Sequence, residues 1–470
     1  MSSYPYQDRF PVNRTLPEHG RPRDEVLAEM RALAAEEDAS WEGGRVSGTM
    51  YCGDHDHYSF MNDVFGLYAH VNILQRDICP SATRYEGEVI AMALDLMHAD
   101  AVTDGEPVGL VTSGGTGSIC HAVLAFREVA REERGVTRPN FIKPETGHPA
   151  FDKACHLFGI EMRHVPVDPV TMQADVEAVR AAIDDQTIGF MGSACNYGYG
   201  TIDPIEALSD LAVETGLPLH VDGCLGGFIL PFGEELGFDI PPFDFRHPGV
   251  TSISADTHKY GYAFKGTSTV LFRDKRWRNS QYFFLTDWTG GKYCSPGMDG
   301  SRSGGLLAAT WAAMVQLGRE GYRSYAEQML ETSKAMQEAV RSHPELRILG
   351  DPSFLFSFTS DEFDIYSRQR LHAAEGLALQ RPAVPQRPAH GGHPAPDPGR
   401  RGGGVRQRPG GSRRVRQGEG PRARRLGRHL RRRGRRHERR GRRVHQDGHG
   451  PDARRAAGPA AARLIWPRAG

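Results

Sequence analysis

A chain of 470 residues, 39% hydrophobic and 25% charged, is long enough and apolar enough to bury the cores of two or three domains. Its formal net charge of zero conceals a split: residues 381–470 hold 26 Arg, no Lys and five acids, a balance of +21, which leaves −21 for residues 1–380. No apolar run approaches the roughly 20 residues of a bilayer span, and the polar start lacks a signal peptide's basic and apolar regions, so the expectation is a soluble cytoplasmic protein.

Residues 24–38 (DEVLAEMRALAAEED) suit an amphipathic helix, followed by the Gly-rich run GGRVSGTMY. From about 60 to 318 helical and strand-like segments alternate. Helices are predicted over 85–98, 118–133, 150–158, 173–184 and near 205–215. Strands are predicted at PVGLV, FIK, EMRHVPV, TIGFMGSA, LPLHVD and VTSISAD. This alternation indicates an α/β fold with a mostly parallel sheet covered on both faces. Ligands of such sheets bind beyond the carboxyl ends of the strands, and the polar clusters TSGGTGS, ETGH, NYGYG, DGCLGG and DTHKYG fall at those ends. From 319 a helical stretch, then LRILG and SFLFSFTS, read as the start of a smaller domain that breaks off after Ile365 and Tyr366.

The seven cysteines (52, 79, 120, 155, 195, 224 and 294) form no CxxC pair and read as reduced thiols. Lys259, after His258 at the end of the strand SISAD, is a candidate imine-forming amine; on its own it would read as a solvated loop lysine. Asp222 ends LPLHVD, where a buried carboxylate needs a partner such as a protonated ring nitrogen; the plainer reading is a helix N-cap. TSGGTGS at 112–118 opens a helix, where glycines let a phosphate approach backbone N–H groups. His148 could stack on a flat ring or cap the helix at 150–158. The DHDH run at 54–57 has metal-type side chains but reads as a solvated turn, so no metal is expected, and Met92 and Met97 read as core.

The runs GRVSGTMY, TSGGTGS, HPAFDKA, HVDGCLGGF, SISADTHKYGYAFKG and GSRSGG together resemble the sphingosine-1-phosphate lyase branch of the group II pyridoxal-5′-phosphate (PLP)-dependent decarboxylase family, over roughly residues 40–365. The resemblance implies a type I aminotransferase-like fold, PLP as cofactor and a homodimer with active sites at the interface. It implies Lys259 as the Schiff-base lysine, Asp222 on the pyridine nitrogen and His148 stacked on the ring. Gly115, Thr116 and Ser118 would cradle the cofactor phosphate with His258 nearby, and Ser303 and Gly304 would reach the phosphate of the partner subunit's cofactor. Tyr51 and Lys265 match substrate-binding positions, and Tyr197 joins Lys259, Asp222 and His148 as a catalytic candidate. The implied reaction is retro-aldol cleavage of a phosphorylated sphingoid base to a long-chain aldehyde and phosphoethanolamine. An amino-acid decarboxylase on the same scaffold and an inactive truncated remnant are the alternatives.

The sequence departs from that family at Gly117, Pro149, Gly198 and Phe264, and Gln75 stands where a histidine is expected to help bind the substrate phosphate. The expected division is an N-terminal helical segment (1–60), a large PLP-binding domain (61–318), the start of a small domain (319–366) and a disordered Arg/Gly/Pro-rich tail (367–470). Dense Arg could form a nucleic-acid arm. Absent Lys, abundant Arg, Gly, Pro and Ala, and an abrupt onset fit a GC-rich gene read out of frame better, and no nucleic-acid partner is expected. Codons permitted for residues 377–398 can be chosen so that a +1 frame returns a peptide with the alternation of a domain strand.

Overall fold

The computed structural model describes residues 4–42, 48, 50–52 and 54–365; the expectations for the tail lie outside the described residues. In chain order come the helices α1 (Arg23–Glu42), α2 (His55–Tyr68) and α3 (Pro80–Leu96). The alternating part follows: β1 (Val108–Thr112), α4 (Gly115–Arg134), β2 (Asn140–Pro144), α5 (Ala150–Phe158), β3 (Glu161–Val165), α6 (Val176–Ala182) and β4 (Thr187–Ser193). Then come α7 (Ile205–Thr215), β5 (Leu219–Asp222), α8 (Leu230–Glu235), β6 (Val250–Ala255), β7 (Ser268–Phe272) and α9 (Lys275–Ser280). A hairpin of β8 (Phe283–Leu285) and β9 (Tyr293–Ser295) leads to α10 (Gly304–Arg341) and the short pair β10 (Arg347–Ile348) and β11 (Phe358–Thr359).

Seven strands form one sheet in the order β1-β7-β6-β5-β4-β2-β3. β7 runs antiparallel to both β1 and β6, and the other pairings are parallel. Every residue of β4, β5, β6 and β7 is buried, as expected of strands covered by helices on both faces. One apolar cluster, including Phe190, Val221, Ile253 and Leu230, fills one side of the sheet, and a second, including Phe126, Phe141 and Phe151, fills the other. The α5 span matches its predicted 150–158, where Gly159 in the left-handed conformation ends the helix. β7 went unpredicted because STVLF follows the lysine loop with no intervening helix, against the rhythm of the preceding units.

Two of the expected boundaries fall inside helices. Residue 60 lies inside α2, whose start is set by the Asp54 side chain accepting from the Asp56 and His57 amides. DHDH is therefore a helix start rather than a solvated turn, with His57 buried and its Nε2 2.9 Å from the Tyr262 carbonyl. The 318/319 boundary falls within α10, where Gly318 takes a non-helical φ of 57° and kinks the helix. α10 packs on α2, α3 and α8, so it fastens the N-terminal segment to the sheet domain. Met97 is in the core. Among the described residues no helix is long and apolar enough to cross a membrane.

Candidate active site

The carboxyl ends of β1, β5 and β6 and the start of α4 open into a cleft of about 590 Å³. Its lining includes Gly115, Thr116, His148, Asp222, His258 and Lys259. Strand geometry explains the meeting: β5 and β6 are adjacent and parallel, with Asp222 opposite Ser254, so the carboxylate and the loop after Ala255 emerge at the same edge.

Asp222 is buried, its Oδ1 accepting from the Cys224 amide at 3.1 Å and the Ser254 hydroxyl at 3.2 Å. Burial alone would raise its pKa, but the Lys259 cation and the Cys224 hydrogen bond hold it below the usual carboxylate value. The helix N-cap reading of Asp222 does not apply, because no α-helix starts there; a short 3-10 turn begins only at Gly226.

Lys259 Nζ lies 2.9 Å from Asp256 Oδ2. Desolvation works to lower the lysine's pKa, yet Asp256, with Asp222 behind it, outweighs burial and raises it. The ligand-free amine is therefore held as a cation. Asp256 was missed in the sequence, although it sits in the quoted SADTHK run. Its signal was the i, i+3 spacing to Lys259 across a turn. The other oxygen, Oδ1, accepts from Ser268 at 2.5 Å, and a Cβ on Gly115 would come within 2.5 Å of Oδ2. Only glycine lets α4 start this close to the carboxylate.

α4 is 20 residues long and begins at the cleft with Gly114 at φ 137°, so its first amides face the space where an anion is favoured. Gly115 and Thr116 line that space. Ser118 does not: it is fully buried, its hydroxyl bonded to Thr112 at 2.7 Å and Ser268 at 2.8 Å, one helical turn below the rim. Its expected place in a phosphate cradle is corrected to a link beneath it. His258 lines the cleft with Nδ1 bonded to the Thr267 carbonyl, and burial lowers its pKa.

His148 makes the capping contact that one of its two sequence readings expects. Its Nδ1 accepts from the Ala150 amide at 3.1 Å at the start of α5, while the ring stands open to the cleft. Desolvation keeps it neutral more readily than a free imidazole, despite the pull of Asp222.

The substrate candidates lie around a smaller cavity of about 100 Å³ that shares His258 and Lys259 with the cleft. Lys265 Nζ sits 4.1 Å from the Tyr51 ring centroid and donates to the His258 carbonyl at 3.2 Å. Burial, then repulsion by Lys259, lowers the Lys265 amine to about 8. Tyr197 is exposed; burial of part of its ring raises its pKa against the opposing field of Lys259. Gln75 is exposed too.

Ser303 and Gly304 are not brought to the main cleft within this chain. Ser303 lines a neighbouring cavity of about 160 Å³ and caps α10, accepting from the Leu306 amide, and Gly304 is buried against Val71. His121, which the sequence reading missed, is buried in the cleft wall and bonded to Gln281; an isolated His inside an apolar helix gave no signal. Among the described residues no group of three or more His, Cys, Asp or Glu could hold a metal ion.

The donor set suits PLP: an amine for its aldehyde, a buried carboxylate for its ring nitrogen, an imidazole for its ring face and a glycine-opened helix start for its phosphate.

Residues 5–356 match the family model described as the pyridoxal-dependent decarboxylase conserved domain. The sphingosine-1-phosphate lyase of Dictyostelium discoideum is 42% identical over 373 residues, 78% of this chain and 69% of that protein. The sphingosine-1-phosphate lyase of Arabidopsis thaliana is 45% identical, over 73% of this chain and 64% of that protein. The chain thus spans about two thirds of the length of these relatives. The solved sphingosine-1-phosphate lyase of Burkholderia pseudomallei K96243 superposes with a TM-score of 0.79 at 56% identity, covering 80% of this chain and 87% of that one. The glutamate decarboxylase of Lactobacillus brevis, at 21% identity and TM-score 0.68, shares the fold.

Proposed function

The chain belongs to the pyridoxal-dependent decarboxylase family, and on that premise we propose that it is a PLP-dependent carbon–carbon lyase acting on a phosphorylated sphingoid base. The observation that carries the reading is one cleft holding the Lys259 amine, the buried Asp222 carboxylate, the His148 ring and the start of α4. The similarity to sphingosine-1-phosphate lyases, up to 56% identity, supports the substrate class. The bond to break is C2–C3, giving a long-chain aldehyde and phosphoethanolamine.

When bound, PLP supplies an electron sink for the pair left on C2. Lys259 is the amine that would hold it, and Asp222, kept ionised, would hold the proton on the ring nitrogen. His148 would cover one ring face, and the Gly115 and Thr116 amides would bind the cofactor phosphate. Tyr51 and Lys265 would receive the substrate phosphate, the lysine being cationic below its pKa of about 8. Lys259 and Tyr197 are the groups assigned to move the proton of the substrate's 3-hydroxyl. Tyr197, whose phenol keeps its proton at neutral pH, suits the return of a proton to C2 rather than its removal from the hydroxyl.

A homodimer fits the exposed apolar surface. Phe283, Phe284 and Leu285 on β8, with Trp288 in the hairpin turn, stand in solvent, as do Phe60, Leu67 and Val315 along a groove between α2 and α10. A second subunit would cover such surface and could bring its own Ser303 to this chain's cleft. All seven cysteines are unpaired, which suits a cytoplasmic compartment. The out-of-frame origin of the segment beyond 366 stays a proposal, supported by a family match that stops at 356; reading the gene around codon 370 tests it.

The test is product analysis. Full-length protein supplied with PLP and a phosphorylated sphingoid base should release aldehyde, and aromatic or acidic amino acids should release no carbon dioxide. Carbon dioxide without aldehyde would transfer the assignment to a decarboxylase.

A further inference from the structure

Beneath Asp222 lies a row of buried polar groups that the cleft chemistry does not use. His220, Ser252 and Ser254 are each fully buried on β5 and β6. The parallel register sets His220 opposite Ser252 and Asp222 opposite Ser254, so all four side chains share one face at two-residue spacing. His220 Nδ1 is 2.8 Å from Ser252 Oγ, and its Nε2 is 3.2 Å from Ser254 Oγ. Ser254 Oγ is 3.2 Å from Asp222 Oδ1, and the Cys224 thiol donates to the same Ser254 oxygen at 3.2 Å. The edge of the imidazole meets the Phe151 ring of α5, with centroids 5.5 Å apart.

Counting protons fixes the direction of the row. A serine hydroxyl has one proton to give, and an ionised carboxylate is the strongest acceptor within its reach. Ser254 therefore donates to Asp222, and its oxygen accepts from both the Cys224 thiol and His220 Nε2–H. With Nε2 protonated, a neutral imidazole presents a bare Nδ1, which accepts from Ser252. Every proton then points one way: Ser252 to His220, His220 to Ser254, Ser254 to Asp222. A charged imidazole would put a second N–H against Ser252 and gain no anion in contact. Burial, against the weaker pull of Asp222, lowers the His220 pKa to about 4, consistent with the neutral form.

We infer that His220 is a positioning residue of the cofactor site: held neutral in the Nε2–H form, it orients Ser254 so that the Asp222 carboxylate stays ionised and leaves the proton on the cofactor's ring nitrogen. The inference rests on the assignment of Asp222 as the ring-nitrogen partner and extends it to residues that touch neither cofactor nor substrate.

Two measurements test it on the full-length chain. Nitrogen-15 NMR of histidine-labelled protein, assigned by comparison with His220→Gln, should show His220 neutral and protonated at Nε2 from pH 6 to 8, with and without PLP. A proton on Nδ1, or an imidazolium, would overturn the row. PLP titration followed by absorbance should show His220→Leu binding roughly ten-fold more weakly, the loss expected for a hydrogen bond feeding a charged group. His220→Gln, whose amide can accept from Ser252 and donate to Ser254, should recover most of that loss. Should His220→Leu fail to fold, Ser254→Ala removes only the last link and should show the same weakening; wild-type affinity there overturns the inference. A wild-type chain that develops no absorbance with PLP would instead overturn the proposed function.

Discussion

At the inner end of the cleft, Asp222, Ser254, His220 and Ser252 are bonded side chain to side chain across two adjacent strands, and Lys259 is paired with Asp256. The outer candidates do not line that cleft: Tyr197 and Gln75 stand exposed, and Lys265, on the adjoining smaller cavity, rests on an aromatic ring with one backbone acceptor. Burial accounts for the contrast. A polar group taken out of water costs free energy unless partnered, so the inner groups arrive with their partners and fixed directions. The outer groups keep water as a partner and can give it up to a ligand. On the proposed function, the fixed inner groups would hold one cofactor in one pose, and the hydrated outer groups would accept a substrate that comes and goes.

The heaviest blow to the inner end is Lys259→Ala. Loss of the amine paired with Asp256 should lower turnover by at least about 10³-fold. Borohydride treatment followed by mass measurement should then find no reduced cofactor on the chain.

Next is a pH effect that belongs to His220. Burial holds it at about 4 against an ordinary 6.5, so between those values the unfolded chain binds a proton that the folded chain refuses. Stability from this group rises as pH rises from 4 to 6.5 and is eroded as pH falls through that window, by on the order of 3 kcal/mol at most. In His220→Gln, denaturant melts across pH 4 to 6.5 should show a flatter slope; an unchanged slope would mean that His220 takes a proton freely.

Asp256→Asn has a smaller reach. It removes the principal anion that raises the Lys259 pKa, so the cofactor-free amine should acylate on the order of ten-fold faster at pH 8, read by peptide mass mapping. No gain would shift control of Lys259 to Asp222.

Gln75→His should act least, because the position is exposed and any added ion pair is screened. The expected gain is a two- to three-fold lower KM for the phosphorylated substrate, on the order of 0.5 kcal/mol, with kcat unchanged. A drop in kcat instead would draw Gln75 into the inner, rigid group and break the contrast.

Most of the helices and strands were legible because apolar periodicity and Gly punctuation are local signals: α5 and β5 came out of HPAFDKACHLFG and LPLHVDG at the observed places. Lys259, Asp222 and His148 were legible because their motifs lie at strand ends. Asp256 and His220 were overlooked inside quoted motifs, since neither has a meaning until β6 is laid beside β5. Ser118 was misplaced because a serine in a Gly-rich turn looks like a phosphate ligand, whereas the first turn of α4 rotates it inward onto Thr112 and Ser268.

The order of residues along the chain therefore determined the layered α/β architecture, the family and the strand-end positions of Lys259 and Asp222, each encoded over a few neighbouring positions. Tertiary structure alone decided which buried groups face one another: the strand register that joins His220 to Asp222 through Ser254, the antiparallel insertion of β7 that brings Ser268 to Asp256, and the solvent left around Tyr197. Those partnerships join segments up to tens of residues apart, and hydrogen-bond direction follows from where the last proton is needed, which no local pattern of residues records.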